Sequence, residues 1–217
     1  MLANLKQMAE LVDVFSRYGN KKTFKKGDFI VHPGDHPSGV FYIIRGLVKA
    51  YDITKYNEEN LLIIRKKDEI FPLIWALTGQ ERKISYQALA PTVTLDISRE
   101  QFEKEIISHS GAIAPLLDMT IEMYKLHSER ILNLEYRTVR ERIISFLLTM
   151  ATRFGVHTPR GILIEAPLRH QDIASSINAT RETTSREISL LVKKGIITKE
   201  KSFFVIRDIK VMRALLE

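Results

Sequence analysis

The sequence predicts an α+β protein: an N-terminal β jelly-roll (a double-stranded β-helix), one long central helix, and a C-terminal winged helix-turn-helix. Three observations predict it. Between Lys21 and about Ile97, short β-rich runs alternate with Gly and Pro turn signals. From Ser110 to Leu134 the apolar period is helical without interruption. Arg169 to Lys194 then reads as two amphipathic helices joined by a three-residue corner. The expected boundaries fall at 1–109, 110–135 and 136–217.

Along the chain, residues 1 to about 18 form a short helix, because Leu5, Met8, Leu11, Val12 and Phe15 recur at helical spacing. Phe29–Val31, Val40–Ile44, Val48–Ile53, Leu61–Arg65 and Thr92–Ile97 are strands separated by Pro33-Gly34-Asp35, Arg45-Gly46 and polar loops. In the long helix, Leu116, Thr120, Met123, His127, Ile131 and Leu134 step by fours and threes. So apolar a seam suits a second copy of the chain, the alternative being an ordinary core helix. Thr138 to Phe154 is a further helix that turns Val139, Ile143, Phe146, Leu147 and Met150 toward a C-terminal core, and Gly155 ends it. Ile162–Glu165 and Phe203–Ile206 are strands, the second belonging to a hairpin that flanks the helical pair, and Asp208–Leu216 is a closing helix.

The helical pair carries the chemistry. Ile173, Ala174 and Ile177 share one side of its first helix, and Asn178-Ala179 breaks that helix because Asn tolerates the corner's backbone angles. Thr180 stands where an N-cap belongs. In the second helix Thr184, Ile188 and Leu191 face inward, whereas Arg181, Glu182, Ser185 and Arg186 gather on the other side near its start. Arg can grip O6 and N7 of guanine, and Glu can accept from the cytosine amine. Such a face suits a reader of the DNA major groove; exposed Arg and Glu are also common as mere solvated surface. Charge favours the first reading. Residues 1–135 hold 18 basic and 18 acidic side chains, residues 136–217 hold 15 and 8, and the net charge of +7 therefore lies entirely in the C-terminal part. That is the footprint of a phosphate-backbone partner.

Other classes are excluded or disfavoured. No run of about 18 apolar residues could span a membrane, and the N-terminus resembles no signal peptide. The absence of cysteine excludes disulfides and cysteine-held iron–sulfur clusters, and a cytoplasmic protein fits best. His32, His36, His109, His127, His157 and His170 form no HExxH, and no GxSxG, Walker A or GxGxxG motif occurs. The pair His32 and His36 could be imagined holding a metal, but it lies in a turn between strands; no metal site and no enzyme are expected.

In its order of parts the chain resembles regulators of the Crp/Fnr family over essentially its whole length. Three motifs carry the resemblance. Phe24-Lys25-Lys26-Gly27-Asp28 through Gly34-Asp35 to Gly39-Val40-Phe41-Tyr42-Ile43-Ile44-Arg45-Gly46 is similar to the glycine-punctuated opening of the family's effector domain. Gly79-Gln80-Glu81-Arg82 is a weaker match. Gln171-Asp172-Ile173-Ala174 followed by Thr180-Arg181-Glu182-Thr183-Thr184-Ser185-Arg186 is close to the family's helix-turn-helix signature. The resemblance implies a homodimeric transcriptional regulator with double-stranded DNA as partner, and RNA polymerase too if it activates. It implies that Arg181, Glu182 and Arg186 read bases, with Ser185 at a position some branches also use. His170, Gln171, Thr180 and Thr183 would touch phosphates, which position the protein without specifying sequence. Half-sites with a G·C-rich core such as TGTGA are the family-level expectation.

The pattern breaks at the effector site. Cyclic-nucleotide binders of that family carry a Gly-Glu pair for the ribose and an Arg-Ser or Arg-Thr pair for the phosphate. Here Phe71-Pro72 replaces the first and Arg82-Lys83 the second, and His127-Ser128 stands where Thr-Ser is common. Proline offers neither side-chain acceptor nor amide donor, which argues against control by cyclic AMP. Phe71, Leu73, Ile74 and Trp75 with Arg82, Lys83, Met123 and His127 would instead make an apolar pocket for an unidentified amphipathic acid, its carboxylate on Arg82. The alternative is that Trp75 and its neighbours fill the core and Arg82 is solvated. A haem would need an axial ligand, for which His127 is the candidate, but a lone seam histidine is more commonly a packed residue. An effector-binding scaffold of the same fold that reads no DNA is the remaining rival.

Overall fold

The structure, a computed structural model, describes residues 5–107 and 110–217. The first four residues of the expected N-terminal helix, and His109, lie outside them. The chain divides into two compact units, Met1–Leu126 and His127–Glu217.

In the first unit, α1 (Leu5–Tyr18) is followed by β1 (Asn20–Phe24), β2 (Phe29–Val31), β3 (Val40–Arg45), β4 (Val48–Ile53), β5 (Glu59–Arg65) and β6 (Ile70–Phe71). After α2 (Leu73–Thr78) come β7 (Ser85–Ala88), β8 (Thr92–Ile97) and α3 (Arg99–Phe102), which runs into a π-helical turn, Glu103–Ile107. The strands pair antiparallel in two four-stranded sheets, ordered β1-β8-β3-β6 and β2-β7-β4-β5. The expected jelly-roll is therefore present. Strands β1, β6 and β7 carry too little apolar alternation to be legible beforehand; the ladder to a neighbouring strand defines each of them.

Strand β3 explains how this unit is layered. Successive side chains of a strand point to opposite faces, and here both faces are covered. Phe41 and Ile43 join Val31, Val48, Ala50, Phe71 and Tyr86 between the two sheets. Val40 and Tyr42 point the other way, into a cluster with Leu11 and Phe15 of α1, Leu73 and Ala76 of α2, and Phe102, Ile106, Leu116 and Met119. A strand buried on both faces reads as a continuous apolar run, which is what Val40 to Ile44 shows. Gly46 turns β3 into β4 at φ +100°, where a Cβ would meet the Thr92 hydroxyl at 2.4 Å.

The long helix α4 spans Ser110–Tyr136, and the division between the units falls within it. The second unit continues with α5 (Val139–Phe154), β9 (Gly155–Thr158), β10 (Gly161–Ile164), α6 (His170–Ser176), α7 (Arg181–Lys193), β11 (Ile197–Glu200), β12 (Phe203–Ile206) and α8 (Ile209–Ala214). Its sheet is ordered β11-β12-β10-β9, all antiparallel. Thr138 and Glu141 close a capping box at the start of α5. Two arginines tie helix ends together. Arg142 donates to the carbonyls of Leu134, Arg137 and Ile177 at 2.9, 2.9 and 3.2 Å, and Arg130 donates to the Ser176 carbonyl at 2.8 Å. These are the orphan carbonyls that a helix C-terminus leaves, so α6 is fastened to the end of α4 by side chains that also place positive charge where the helix dipoles favour it.

Candidate DNA interface

Helix α6 ends at Ser176, and Asn178 takes the left-handed conformation at φ 51° that turns the chain. Thr180 then caps α7: its hydroxyl accepts from the Thr183 amide at 3.1 Å and donates to the Thr183 hydroxyl at 3.0 Å. The cap satisfies one of the amides that the first turn leaves unpaired. Thr184, Ile188 and Leu191 are buried, as are Ile173, Ala174 and Ile177 of α6. Helix α7 packs on α5 and α6 through that stripe.

The opposite face of α7 is open. Arg181, Glu182 and Arg186 are exposed and Ser185 is half-buried, so the four side chains expected to read bases share the first two turns. Arg186 lies 3.9 Å from Glu187, a loose pairing, because Glu187 is held at 2.7 Å by Arg140. At the start of α6, Arg169 and Asp172 bond each other at 3.0 Å, leaving Gln171 exposed beside them. His170 is half-buried and its Nε2 lies 2.7 Å from Nζ of Lys199 on β11, a neighbour that no sequence motif pointed to. Burial first, then the Lys199 and Arg181 cations, hold the His170 imidazole below the usual histidine range.

In the first unit the residues expected to line one effector pocket divide between two cores. Phe71 lies between the sheets, its ring 5.1 Å from Phe41 and 4.9 Å from Tyr86. Leu73 belongs to the other cluster, on the α1 side, with Trp75 and Met123 packed against it. The change from strand to helix separates them: Phe71 is the last residue of β6 and Leu73 the first of α2. Arg82 and Lys83 are exposed, and His127 belongs to the second unit. The sequence reading missed Arg65 and Tyr86. Tyr86 is deeply buried, and burial raises its phenol despite the opposing fields of Arg65 and Arg82. Arg65, 5% exposed, pairs with Glu69 at 3.4 Å and lies 2.6 Å from the Met123 sulfur, while its Nε has no partner. A basic residue ending an apolar strand was the one available signal.

Along α4 the expected seam also divides. Leu116 is 4% exposed inside the first unit's core, and Met123 packs against the same cluster. The Thr120 hydroxyl donates to the Leu116 carbonyl at 2.8 Å. His127 and Leu134 are half-buried, and only Ile131, 62% exposed, is an open apolar side chain of the set. A second stripe, one residue out of phase, is open instead: Ile113 at 49%, Leu117 at 45% and Tyr124 at 73% lead to Ile131.

Comparison with known proteins agrees with this architecture. Residues 21–109 match the cyclic nucleotide-binding domain, and residues 141–215 match the Crp-like helix-turn-helix domain. The global nitrogen regulator of Synechocystis sp. is 31% identical over 215 residues, covering 91% of this chain and 92% of that protein. The chain belongs to the Crp/Fnr family. The anaerobic regulatory protein of Bacillus subtilis is 25% identical, with 89% of this chain and 82% of that protein covered. Among solved structures, FixK2 from Bradyrhizobium japonicum superposes with a TM-score of 0.77 at 22% identity, over 91% of this chain and 96% of its own. A CooA mutant from Carboxydothermus hydrogenoformans gives the same TM-score at 21% identity, over 94% and 90%. Crp/Fnr proteins are DNA-binding transcription regulators. Among the described residues, no helix is long and apolar enough to cross a membrane.

Proposed function

We propose that this Crp/Fnr protein is a sequence-specific regulator that binds a palindromic operator as a homodimer and answers to a small effector other than cyclic AMP. The observation that carries the reading is the division of α7 into a buried stripe and an open Arg181, Glu182, Ser185, Arg186 face. On that reading Arg181, Glu182 and Arg186 contact base edges from the major groove, Ser185 assists, and His170, Gln171, Thr180 and Thr183 touch phosphates. The stripe Ile113, Leu117, Tyr124 and Ile131 supports a dimer, since its spacings of four and seven are those of a coiled-coil seam. Leu116, buried in its own unit, and Met123, packed against that core, are withdrawn from that seam. Three stacked rings between the sheets, Phe41, Phe71 and Tyr86, support an effector other than a cyclic nucleotide. Arg82, near the Tyr86 phenol, is the side chain we assign to an acidic effector group. Work in the cytoplasm and contact with RNA polymerase, were it an activator, follow from the same reading.

Selection of bound duplexes from a random pool tests this directly. The expected result is one palindromic consensus with half-sites about one helical turn apart. Arg181→Ala should weaken the selected duplex by about 1–3 kcal/mol and relax choice at one base pair per half-site. A pool that enriches no sequence, or an Arg181→Ala variant with unchanged affinity and consensus, would overturn the base-reading assignment and favour a scaffold.

A further inference from the structure

The contact between α6 and the β11–β12 hairpin is unusual for two bases. Lys199 Nζ approaches His170 Nε2 to 2.7 Å, so the imidazole accepts an N–H from the ammonium and must be neutral there. Lys199 also lies 5.5 Å over the Phe204 ring, whose plane is tilted against the His170 ring at 6.4 Å. The charges that act on the His170 imidazole are cationic. From β11 it meets Lys199, from α7 it feels Arg181, and from β12 it is offered only the Phe204 ring. On its own element, Arg169 is engaged with Asp172. Among the described residues, no carboxylate is within ion-pair distance of His170 or Lys199. Burial also holds the Lys199 ammonium below its usual range.

We infer that His170 and Lys199 form a proton-linked phosphate seat, in which a DNA phosphate draws one proton from water onto His170 and operator affinity rises as pH falls. This rests on the DNA-binding reading above. Without an anion, protonating Nε2 would end the Lys199 bond and set two cations 2.7 Å apart, so the free protein resists it. With a phosphate oxygen between them, His170 Nε2–H and Lys199 Nζ–H both donate to the anion, and the imidazolium is stabilised. The sign follows from linkage: the DNA-bound form holds the extra proton over the interval between the free and bound pKa of His170. Affinity therefore increases toward acid across that interval and is flat on either side. Each protomer's proton allows at most about a tenfold change per pH unit, so a dimer on its operator is limited to about a hundredfold.

The test is fluorescence anisotropy of the full-length protein with a labelled duplex from the selection, or a random-sequence duplex of thirty base pairs if no consensus emerges. It is run at constant ionic strength from pH 5.5 to 8.5. We expect affinity to rise several-fold as pH falls through the histidine range. In His170→Gln, which keeps an acceptor but cannot gain a proton, that rise should be lost. Lys199→Gln should lower the salt slope by about 0.9, one phosphate contact, and reduce the pH slope. Calorimetry in buffers of differing ionisation enthalpy should register uptake of up to one proton per protomer that His170→Gln lacks. Duplex bound with the same pH profile by wild type and His170→Gln overturns the seat while leaving the base-reading assignment standing. Failure to bind any duplex overturns both.

Discussion

Thr184 is the one polar member of the stripe that anchors α7. It is fully buried, and its hydroxyl has no hydrogen-bond partner. Helical threonines commonly satisfy that hydroxyl on a carbonyl one turn back, and here the rotamer does not. An unmet buried hydroxyl costs about 1–3 kcal/mol relative to water. Valine has the same branching and nearly the same shape, so Thr184→Val should remove that cost without a cavity and add a little apolar burial. Allowing for partial relaxation in the wild type, a gain of about 1–2 kcal/mol is expected. For a unit of this size each kcal/mol corresponds to about 4–8 °C in Tm. Urea unfolding followed by circular dichroism gives the free energy, and an unchanged m-value would show that only stability moved. Operator affinity should stay within about twofold, because Thr184 is fully buried and lies about 200° around the helix from Arg186. Destabilisation by 1 kcal/mol or more would mean that the hydroxyl is bonded in solution. A loss of DNA affinity would mean that the two faces of α7 are not independent.

Four further outcomes follow from the same geometry. Tyr124→Glu, at the most exposed apolar position among Ile113, Leu117, Tyr124 and Ile131, should convert a dimer to monomers in sedimentation velocity; a variant that stays dimeric rules out this seam. Thr138→Ala removes the hydroxyl that caps α5 and should cost about 1 kcal/mol in urea unfolding; no loss would mean that water replaces the cap. Hydrogen bonds from Thr138 hold the Glu141 carboxyl below its usual range, so its contribution is present above the unfolded pKa and is lost as pH falls through the folded one. Glu141→Gln should flatten that part of the acid profile. Finally, burial and a 2.5 Å hydrogen bond to Asp68 push the Tyr42 phenol far up, and burial raises Tyr86 as well. Spectrophotometric titration should find both un-ionised until the protein unfolds in alkali, and earlier ionisation of either would contradict its burial.

How far sequence reaches into this protein depends on how local the deciding interactions are. The corner at Asn178, the cap at Thr180 and the inward stripe Thr184, Ile188, Leu191 were legible because each is settled within about a turn of helix. The same holds for the concentration of charge in the C-terminal part. The jelly-roll was legible as a class, since its turns punctuate the chain. Its polar or short strands β1, β6 and β7 were not, because a ladder partner far along the chain defines them.

The sequence by itself thus determined the helix-turn-helix, the open polar face of its second helix and the order of the two matched domains. Tertiary structure decided three things that periodicity leaves degenerate. Helix α4 carries two apolar stripes one residue apart, about 100° around the axis, and packing on α1 and the π-helical turn selects Leu116 and Met119 for the core, so Leu117 and Tyr124 stay open. Phe71 and Leu73 are neighbours in sequence, yet they enter separate cores because β3 and β6 form a sheet buried on both faces. His170 and Lys199, 29 residues apart, meet only because the β11–β12 hairpin folds back onto the start of α6. Each is a long-range contact, and the free energy that fixes it comes from burial shared across elements rather than from any preference of the residues themselves.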